Sequence, residues 1–234
     1  MIEVVDGRGV GQLRRIVRRE GERFELDRPW LVAPDRASDV VFTAPPPFHN
    51  ITIADNRIVN TGANIICWGC SNDIVVDGNR TGDGHCIGIW SVRLAADQKV
   101  WGGAAFTQVI NNTAEAGWCA PQGGDLLAGF GAGVVGNPCT RHPTATDEGY
   151  DILGLILRNN CTTDNAPIAV KATFRCGEAP WRIRHAGVVV EGNLVRRSRI
   201  GIVVEKGMNA VVRGNASEDV EQPLVVAEPE RMPE

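Results

Sequence analysis

Cationic and aromatic residues stand directly after several short apolar stretches of this sequence, where they could bind or act on a charged sugar. A Lys or Arg side chain pairs with carboxylates, and a Trp ring stacks on a sugar ring. The residues concerned are Trp90, Lys171, Glu205 and Lys206, with Arg93 and Arg175 close behind. This combination favours an anionic sugar polymer as ligand, and the structural alternative is a solvated charged surface.

Residues 171–186 add a second basic and aromatic cluster. Trp181 and Arg182 follow Arg175 there, and Arg184 comes two residues after Arg182. The cluster strengthens the prediction of an anionic ligand on the side of the molecule to which this stretch belongs.

Asp83 and His85 are a further candidate for chemistry. A carboxylate and an imidazole two residues apart can serve as acid and base, and these two stand in the polar run of RTGDGHCIGIW, before an apolar strand. Asp77, in contrast, aligns with Glu191 and Arg213 at one strand position. We therefore expect those three residues to be outward-facing surface charges.

The segment Cys67-Trp68-Gly69-Cys70 has the spacing of a thioredoxin-type redox site. Such a site needs its first Cys at a helix N-terminus, whereas this segment falls at a turn between strands, which disfavours redox chemistry. Cys67, Cys70, His85 and Cys86 have the ligand types of a zinc site, but stacking of small apolar Cys side chains in neighbouring repeats is the simpler interpretation. We predict no metal site, and the pairing of the seven Cys stays open.

These residues must be positioned by a sequence repeat that can be aligned on one Asn per unit. The residue before each Asn is Asp, Gly or Asn, and these types tolerate a left-handed backbone at a sharp corner. Residues five and three positions before the Asn are mostly apolar, a period of two that predicts a strand with one face in a common interior. The six Asn residues are Asn56, Asn79, Asn112, Asn160, Asn193 and Asn215.

The spacing of the repeat predicts the architecture. Successive Asn residues are 23, 33, 48, 33 and 22 residues apart, and a second apolar strand follows most of them after about eight to ten residues. A short period of strand, Asn corner and strand is typical of a stacked β-solenoid, here of about six coils. In such a stack the corner Asn side chains are expected to form a hydrogen-bonded ladder.

Three insertions interrupt the repeat, at Ser91–Gly103, Ala114–Tyr150 and Lys171–Ala186. We expect all three to leave the solenoid after the second strand of a coil. Because successive coils stack, excursions from one corner would form the wall of a groove, and loops on a rigid scaffold commonly bind ligands. The alternative is that the insertions only cover an exposed flank.

The first 48 residues do not follow the repeat. They predict a strand at Ile2–Val5 and a hairpin of Leu13–Arg19 with Arg23–Asp27. The predicted organisation is an irregular β segment at 1–48, a solenoid at 49–228 and a tail at 229–234.

Composition and charge exclude several classes of protein. A net charge of −4 with interspersed signs disfavours a nucleic-acid binder, because such a protein has a clustered basic face. No apolar run reaches the roughly 18 residues of a membrane span. The N-terminus MIEVVDGRG is not a signal peptide. We expect that a natural N-terminal part is missing, and that the full-length protein is extracellular or periplasmic.

The segments ITIADN, IVVDGN, VVVEGN and AVVRGN, each followed by a polar run and an apolar strand, resemble the right-handed parallel β-helix superfamily, the pectin-lyase-like proteins. The resemblance covers residues 49–228 and implies an all-β, right-handed parallel β-helix with loop insertions on one side. In polysaccharide lyases of this superfamily a Lys or Arg abstracts a proton, often with Ca²⁺ neutralising the substrate carboxylate. The resemblance therefore implies Lys171 or Lys206 as a base and Ca²⁺ as a candidate cofactor.

The favoured function is that of a carbohydrate-active protein that binds, and as a further hypothesis cleaves, an acidic polysaccharide. Lyase and glycoside hydrolase stay open, although the paired-Asp and Gly-His-Gly motifs of the pectin-hydrolysing family are absent from the sequence. The alternatives are a non-catalytic structural or adhesive module, as in a fibre or tailspike, which could be oligomeric, or a part of a larger β-helix enzyme. The candidate catalytic residues are Lys171, Lys206, Glu205, His85 and Asp83, and the candidate binding residues are Trp90, Arg93, Arg175, Trp181 and Arg182.

Overall fold

The structure is a computed structural model that describes most of the chain. The described residues are 1–42, 48–59, 63–68, 71–91, 104–117, 130–134, 148–164, 167–172, 182–205 and 210–227. Their regular secondary structure is entirely β-strand, and most strands pair in parallel. The predicted all-β fold is confirmed, whereas the right-handed parallel β-helix stays a prediction.

The N-terminal segment, residues 1–42, forms two small antiparallel sheets. Its strands are β1 (Ile2–Asp6), β2 (Leu13–Arg14), β3 (Ile16–Glu20), β4 (Arg23–Leu26) and β5 (Asp39–Phe42). Strand β1 lies between β2 and β5, and β3 pairs with β4. The predicted strand at the N-terminus and the predicted hairpin are therefore both present.

Two larger sheets contain the other described strands. The eight-stranded sheet consists of β6 (Phe48–Ala54), β9 (Ser71–Asp77), β11 (Ala104–Ile110), β14 (Glu148–Leu153), β15 (Ile156–Arg158), β18 (Arg182–Ala186), β19 (Val189–Glu191) and β21 (Val211–Arg213). The nine-stranded sheet consists of β7 (Arg57–Val59), β8 (Ala63–Trp68), β10 (Arg80–Ser91), β12 (Thr113–Gly117), β13 (Phe130–Val134), β16 (Cys161–Thr163), β17 (Ile168–Ala172), β20 (Leu194–Glu205) and β22 (Ala216–Ala227).

Parallel pairing aligns the repeats in register, so that equivalent residues form columns across successive strands. One such column in the eight-stranded sheet is Ile53, Val76, Val109, Leu157, Val190 and Val212. The four central members are almost completely buried, and the two end members pack against the same core. The predicted period-two interior is confirmed for these strands.

The Asn corner has the backbone and the hydrogen bonds that the sequence predicts. The residue before each Asn has a positive φ at all six corners, from 54° at Asn159 to 64° at Gly78 and Gly192. Each Asn donates its Nδ2–H to Oδ1 of the next Asn over 2.9–3.1 Å, and the same Oδ1 also accepts the backbone N–H of the donor residue. The Asn ladder is confirmed.

Two further sets of left-handed residues were not predicted. Asp164, Arg197 and Asp219 share a corner of the nine-stranded sheet, with φ of 59°, 48° and 54°. The other set lies six residues before the Asn and includes Phe106, with φ of 51°. A Cβ at Gly154 would lie 2.7 Å from Cδ1 of Phe106, so the absence of a side chain at Gly154 leaves room for this ring.

The predicted second insertion is wrong in its extent. Strands β12, β13 and β14 all lie within Ala114–Tyr150 or overlap it, and β13 pairs in parallel with β10 and β17. The polar runs after the Asn are also strands: β10 and β20 continue without a break from the corner to their apolar ends. Strand pairing therefore extends into stretches that the sequence predicts to be loops.

Candidate functional site

Two of the predicted binding and catalytic residues share one column of the nine-stranded sheet. Trp90 is in register with Trp68 on β8 and with Gly133 on β13, and Gly133 is in register with Lys171 on β17. We call Trp68, Trp90, Gly133 and Lys171 the Trp–Lys column. It alternates along the strands with a buried column that contains Ile89 and Val170.

The register places Glu205 beside the Trp–Lys column and corrects the predicted position of Val226. Val170 pairs with Val204, and Val204 pairs with Val226, so Val226 belongs to the buried neighbouring column. The error of one residue arose because the interval between the Asn and its second strand was taken as variable. Glu205, one residue after Val204, pairs with Ala227 and so continues the column of Lys171.

The other predicted binding residues divide into two groups. Arg93, Arg175, Trp181 and Lys206 lie outside the described residues, as do most of the three insertions and hence the predicted groove. Arg182 begins β18 and is in register with Glu148 in the eight-stranded sheet. It therefore lies in a different sheet from Lys171.

Asp83 and His85 lie within β10, the strand that also carries Trp90. Gly82 and Gly84 pair with Glu115 and Gly117 on β12, whereas His85 pairs with Ala63 on β8. The pair therefore occupies a continuous strand and not the loop that was predicted. Its register positions precede the Trp–Lys column along the same strand.

The surface charges of the sheets form ion pairs between neighbouring strands. Glu191 accepts hydrogen bonds from Arg158 at 3.0 Å and from Arg213 at 2.8 Å. The Arg213 bond is the larger cause of the lowered pKa of Glu191. Asp77, Glu191 and Arg213 share a register column as predicted. Such exposed pairs suit a surface role, and the other pairs between sheet strands are Arg80–Glu115, Arg196–Glu218 and Arg197–Asp164.

The described cysteines do not support redox or metal chemistry. Burial raises the pKa of the Cys67 thiol to about 11, which disfavours the reactive thiolate. Cys67 is in register with Ile89, and Cys161 with Thr113 and Leu194, so the predicted stacking of Cys on Cys is wrong for both. No group of three His, Cys, Asp or Glu side chains among the described residues could hold a metal ion.

One unusual ionisable group was missed by the sequence analysis. Glu3 is completely buried and accepts a hydrogen bond from Nδ2 of Asn72. Burial raises the pKa of this carboxyl to about 7, and the bond from Asn72 partly offsets that rise. A Glu within the apolar run IEVV is the only sequence signal, since an alternating strand would carry it on a solvated face.

Comparison with known proteins gives no assignment. No family model matches the chain, and no curated protein or solved structure matches it. The described residues include no helix that is long and apolar enough to cross a membrane.

Proposed function

We propose that residues 49–228 form a right-handed parallel β-helix of about six coils. The parallel pairing of equivalent strands supports this architecture, because each strand pairs with its counterpart in the next repeat. The Asn ladder supports it as well, since its hydrogen bonds link all six repeats in sequence order. A β-helix would provide the rigid scaffold on which a binding face can be built.

We propose that this scaffold binds an acidic polysaccharide along the Trp–Lys column. The single observation that carries the proposal is the register of Trp90 with Lys171, one strand apart across Gly133. Strands in a sheet are about 4.8 Å apart, so the two residues are about 10 Å apart along the stack. That distance is comparable to the length of a disaccharide. A Trp at one position and a Lys at the other can therefore contact successive sugars of one chain, by stacking and by charge pairing.

Cleavage of the polymer is an extension of the same proposal. Lys171, Glu205 and Lys206 follow or continue this column in the sequence, and a neutral amine there could remove a proton from a uronate sugar. The described residues offer no cluster that fits Ca²⁺, so we assign no step to a metal ion. Lyase activity would release an unsaturated sugar, whereas hydrolysis would release only a reducing end.

The test is a screen of uronate polymers and neutral glycans for binding by calorimetry, with absorbance and reducing-end assays for cleavage. We expect Lys171→Ala to weaken binding of a uronate polymer about tenfold, the effect of one lost charge-assisted hydrogen bond. Trp90→Ala should weaken binding of the same polymer. Arg57→Ala is the matched control, because Arg57 is an exposed cation of the same sheet outside the column.

A structural module is the second candidate, favoured by exposed apolar residues on the last repeat. Leu224 and Val226 are 52% and 64% exposed, although their columns are buried in the preceding repeat. A second copy stacked on β22 would cover them. If no polymer binds, or if Lys171→Ala binds like the unmodified protein, the carbohydrate proposal is wrong. A molar mass above that of one chain, lowered by Leu224→Lys, would then support the structural module.

A further inference from the structure

A buried carboxyl lies where the N-terminal segment meets the eight-stranded sheet. Glu3 is on β1, the central strand of its small sheet, and is fully shielded from solvent. Its Oε1 accepts the hydrogen bond from Asn72 on β9, whereas its Oε2 has no hydrogen-bond partner among the described residues. One oxygen of the carboxyl is thus satisfied across the junction and the other is buried without compensation.

The surroundings of this junction are apolar. Val5 of β1 packs with Ala105 of β11 and Leu153 of β14, and Val41 and Phe106 complete the cluster. The segment is therefore held to the sheet by a small hydrophobic contact together with the bond between Glu3 and Asn72. Because that contact is small, the state of one buried carboxyl can change the strength of attachment.

No charged side chain on the packed elements compensates a negative charge on Glu3. Only burial and the bond from Asn72 shift the pKa of this carboxyl. The guanidinium of Arg14, on the neighbouring strand, bonds to oxygens of Pro29, Leu13 and Gln12. The other ionisable residues of the packed strands are acidic: Asp6 on β1, Asp39 on β5, Asp73 and Asp77 on β9, and Glu148 and Asp151 on β14.

We propose that Glu3 makes the attachment of the N-terminal segment to the eight-stranded sheet dependent on pH. The neutral carboxyl holds the segment in place, and the ionised carboxyl loosens it. The segment is thereby a cover whose hold on the sheet weakens as the solution changes from acidic to alkaline.

The direction of the effect follows from proton linkage. The pKa of Glu3 is about 7 when the segment is attached and returns toward the ordinary value of 4.5 when the carboxyl meets water. The attached state therefore binds the proton more tightly, and attachment is strongest below pH 4.5. It weakens as the pH rises through 7, and the equilibrium constant for release increases about 30-fold between pH 5.5 and 8.5.

The experiment is hydrogen exchange with mass spectrometry on the full chain at pH 5.5 and 8.5, with rates corrected for the intrinsic effect of pH. We expect the protection factor of β1 to fall about 30-fold at the higher pH, while that of β20 changes little. Glu3→Gln keeps the size of the side chain and removes its charge, so β1 should keep its protection at pH 8.5. Glu25→Gln, at an exposed position on β4, is the matched control and should behave like the unmodified chain.

Asn72→Ala provides an independent variant. Loss of its hydrogen bond removes the effect that lowers the pKa of Glu3, so the midpoint of release should move to higher pH. Unchanged protection of β1 between the two pH values would overturn the proposal. An undiminished pH effect in Glu3→Gln, an unmoved midpoint in Asn72→Ala, or an equal loss of protection in β20 would also overturn it.

Discussion

The Asn corner and the corner at Asp164, Arg197 and Asp219 solve the same geometric problem with different chemistry. Both turn the chain with a left-handed residue. At the Asn corner the side chains that follow that residue are buried, with Asn160 and Asn193 each 1% exposed. At the other corner the left-handed residues themselves are exposed, and Arg197 pairs with Asp164 at 2.8 Å.

The difference shows what burial requires of a stacked corner. A buried polar side chain must have partners in both directions along the stack, and Asn supplies a donor and an acceptor in one group. An exposed corner has water as a partner, so unlike charges can occupy successive positions. Residue identity is therefore restricted at the Asn corner and variable at the charged one.

The largest expected effect is the loss of one Asn from the middle of the ladder. Asn160→Ala removes the oxygen that accepts the backbone N–H of Asn112 and the amide that donates to the carbonyl of Val109. Leaving such groups buried should lower the free energy of unfolding by about 3 kcal/mol, measured by urea denaturation. Asn56→Ala, at the exposed end of the ladder, should cost about 1 kcal/mol. Equal losses in the two variants would contradict the role given to burial.

A smaller effect is expected from a side chain at the left-handed position. Gly192 has a φ of 64°, and a Cβ there would lie 2.7 Å from Oδ1 of Asn159. Gly192→Ala should lower the free energy of unfolding by about 2 kcal/mol through backbone strain and this contact. Gly214 has a φ of 63°, but its nearest contact would be 3.9 Å away. Gly214→Ala should therefore show the backbone cost alone, about 1 kcal/mol, and a larger loss there than at Gly192 would refute the contact.

The smallest effect is expected at the charged corner. Asp164→Asn removes the ion pair with Arg197 and keeps a residue type that tolerates the left-handed backbone, so the melting temperature should fall only slightly. The hydrogen bond from Arg197 lowers the pKa of Asp164. Its contribution to stability is therefore present above the ordinary carboxyl pKa and is lost as the pH falls through the lowered value.

Salt provides the check on that assignment, because it screens exposed pairs. The difference between Asp164→Asn and the unmodified chain should disappear in 1 M NaCl. Asp219→Asn, at the same corner, is the control and should have a smaller effect. A loss at Asp164 that persists in high salt would show that this corner depends on more than its charges.

The sequence predicts the Asn corner well because its determinants are local. Each Asn stands beside a residue type that accepts a positive φ, and two inner residues precede it at fixed distances. The charged corner is not predictable in this way. Arg197 is not a left-handed type, and its partner Asp164 lies 33 residues away, a distance that unequal insertions obscure.

The candidate site was predicted in part. Trp90 and Lys171 share a column as their similar distances from Asn79 and Asn160 suggested. Strand β13 was missed because FGAGV is rich in Gly and has no Asn corner of its own repeat length. The contact between Glu3 and Asn72 joins residues that are 69 positions apart. It depends on how the N-terminal segment docks, for which the repeat contains no information.

The Asn ladder has a chemical direction. Every side-chain amide from Asn56 to Asn193 donates toward the higher-numbered neighbour, so the amide dipoles add in one sense and polarise one another. The row has its negative end at Asn56 and its positive end at Asn215. A repeat inserted in reverse would set donor against donor, so this row of amides fixes the polarity of the whole stack.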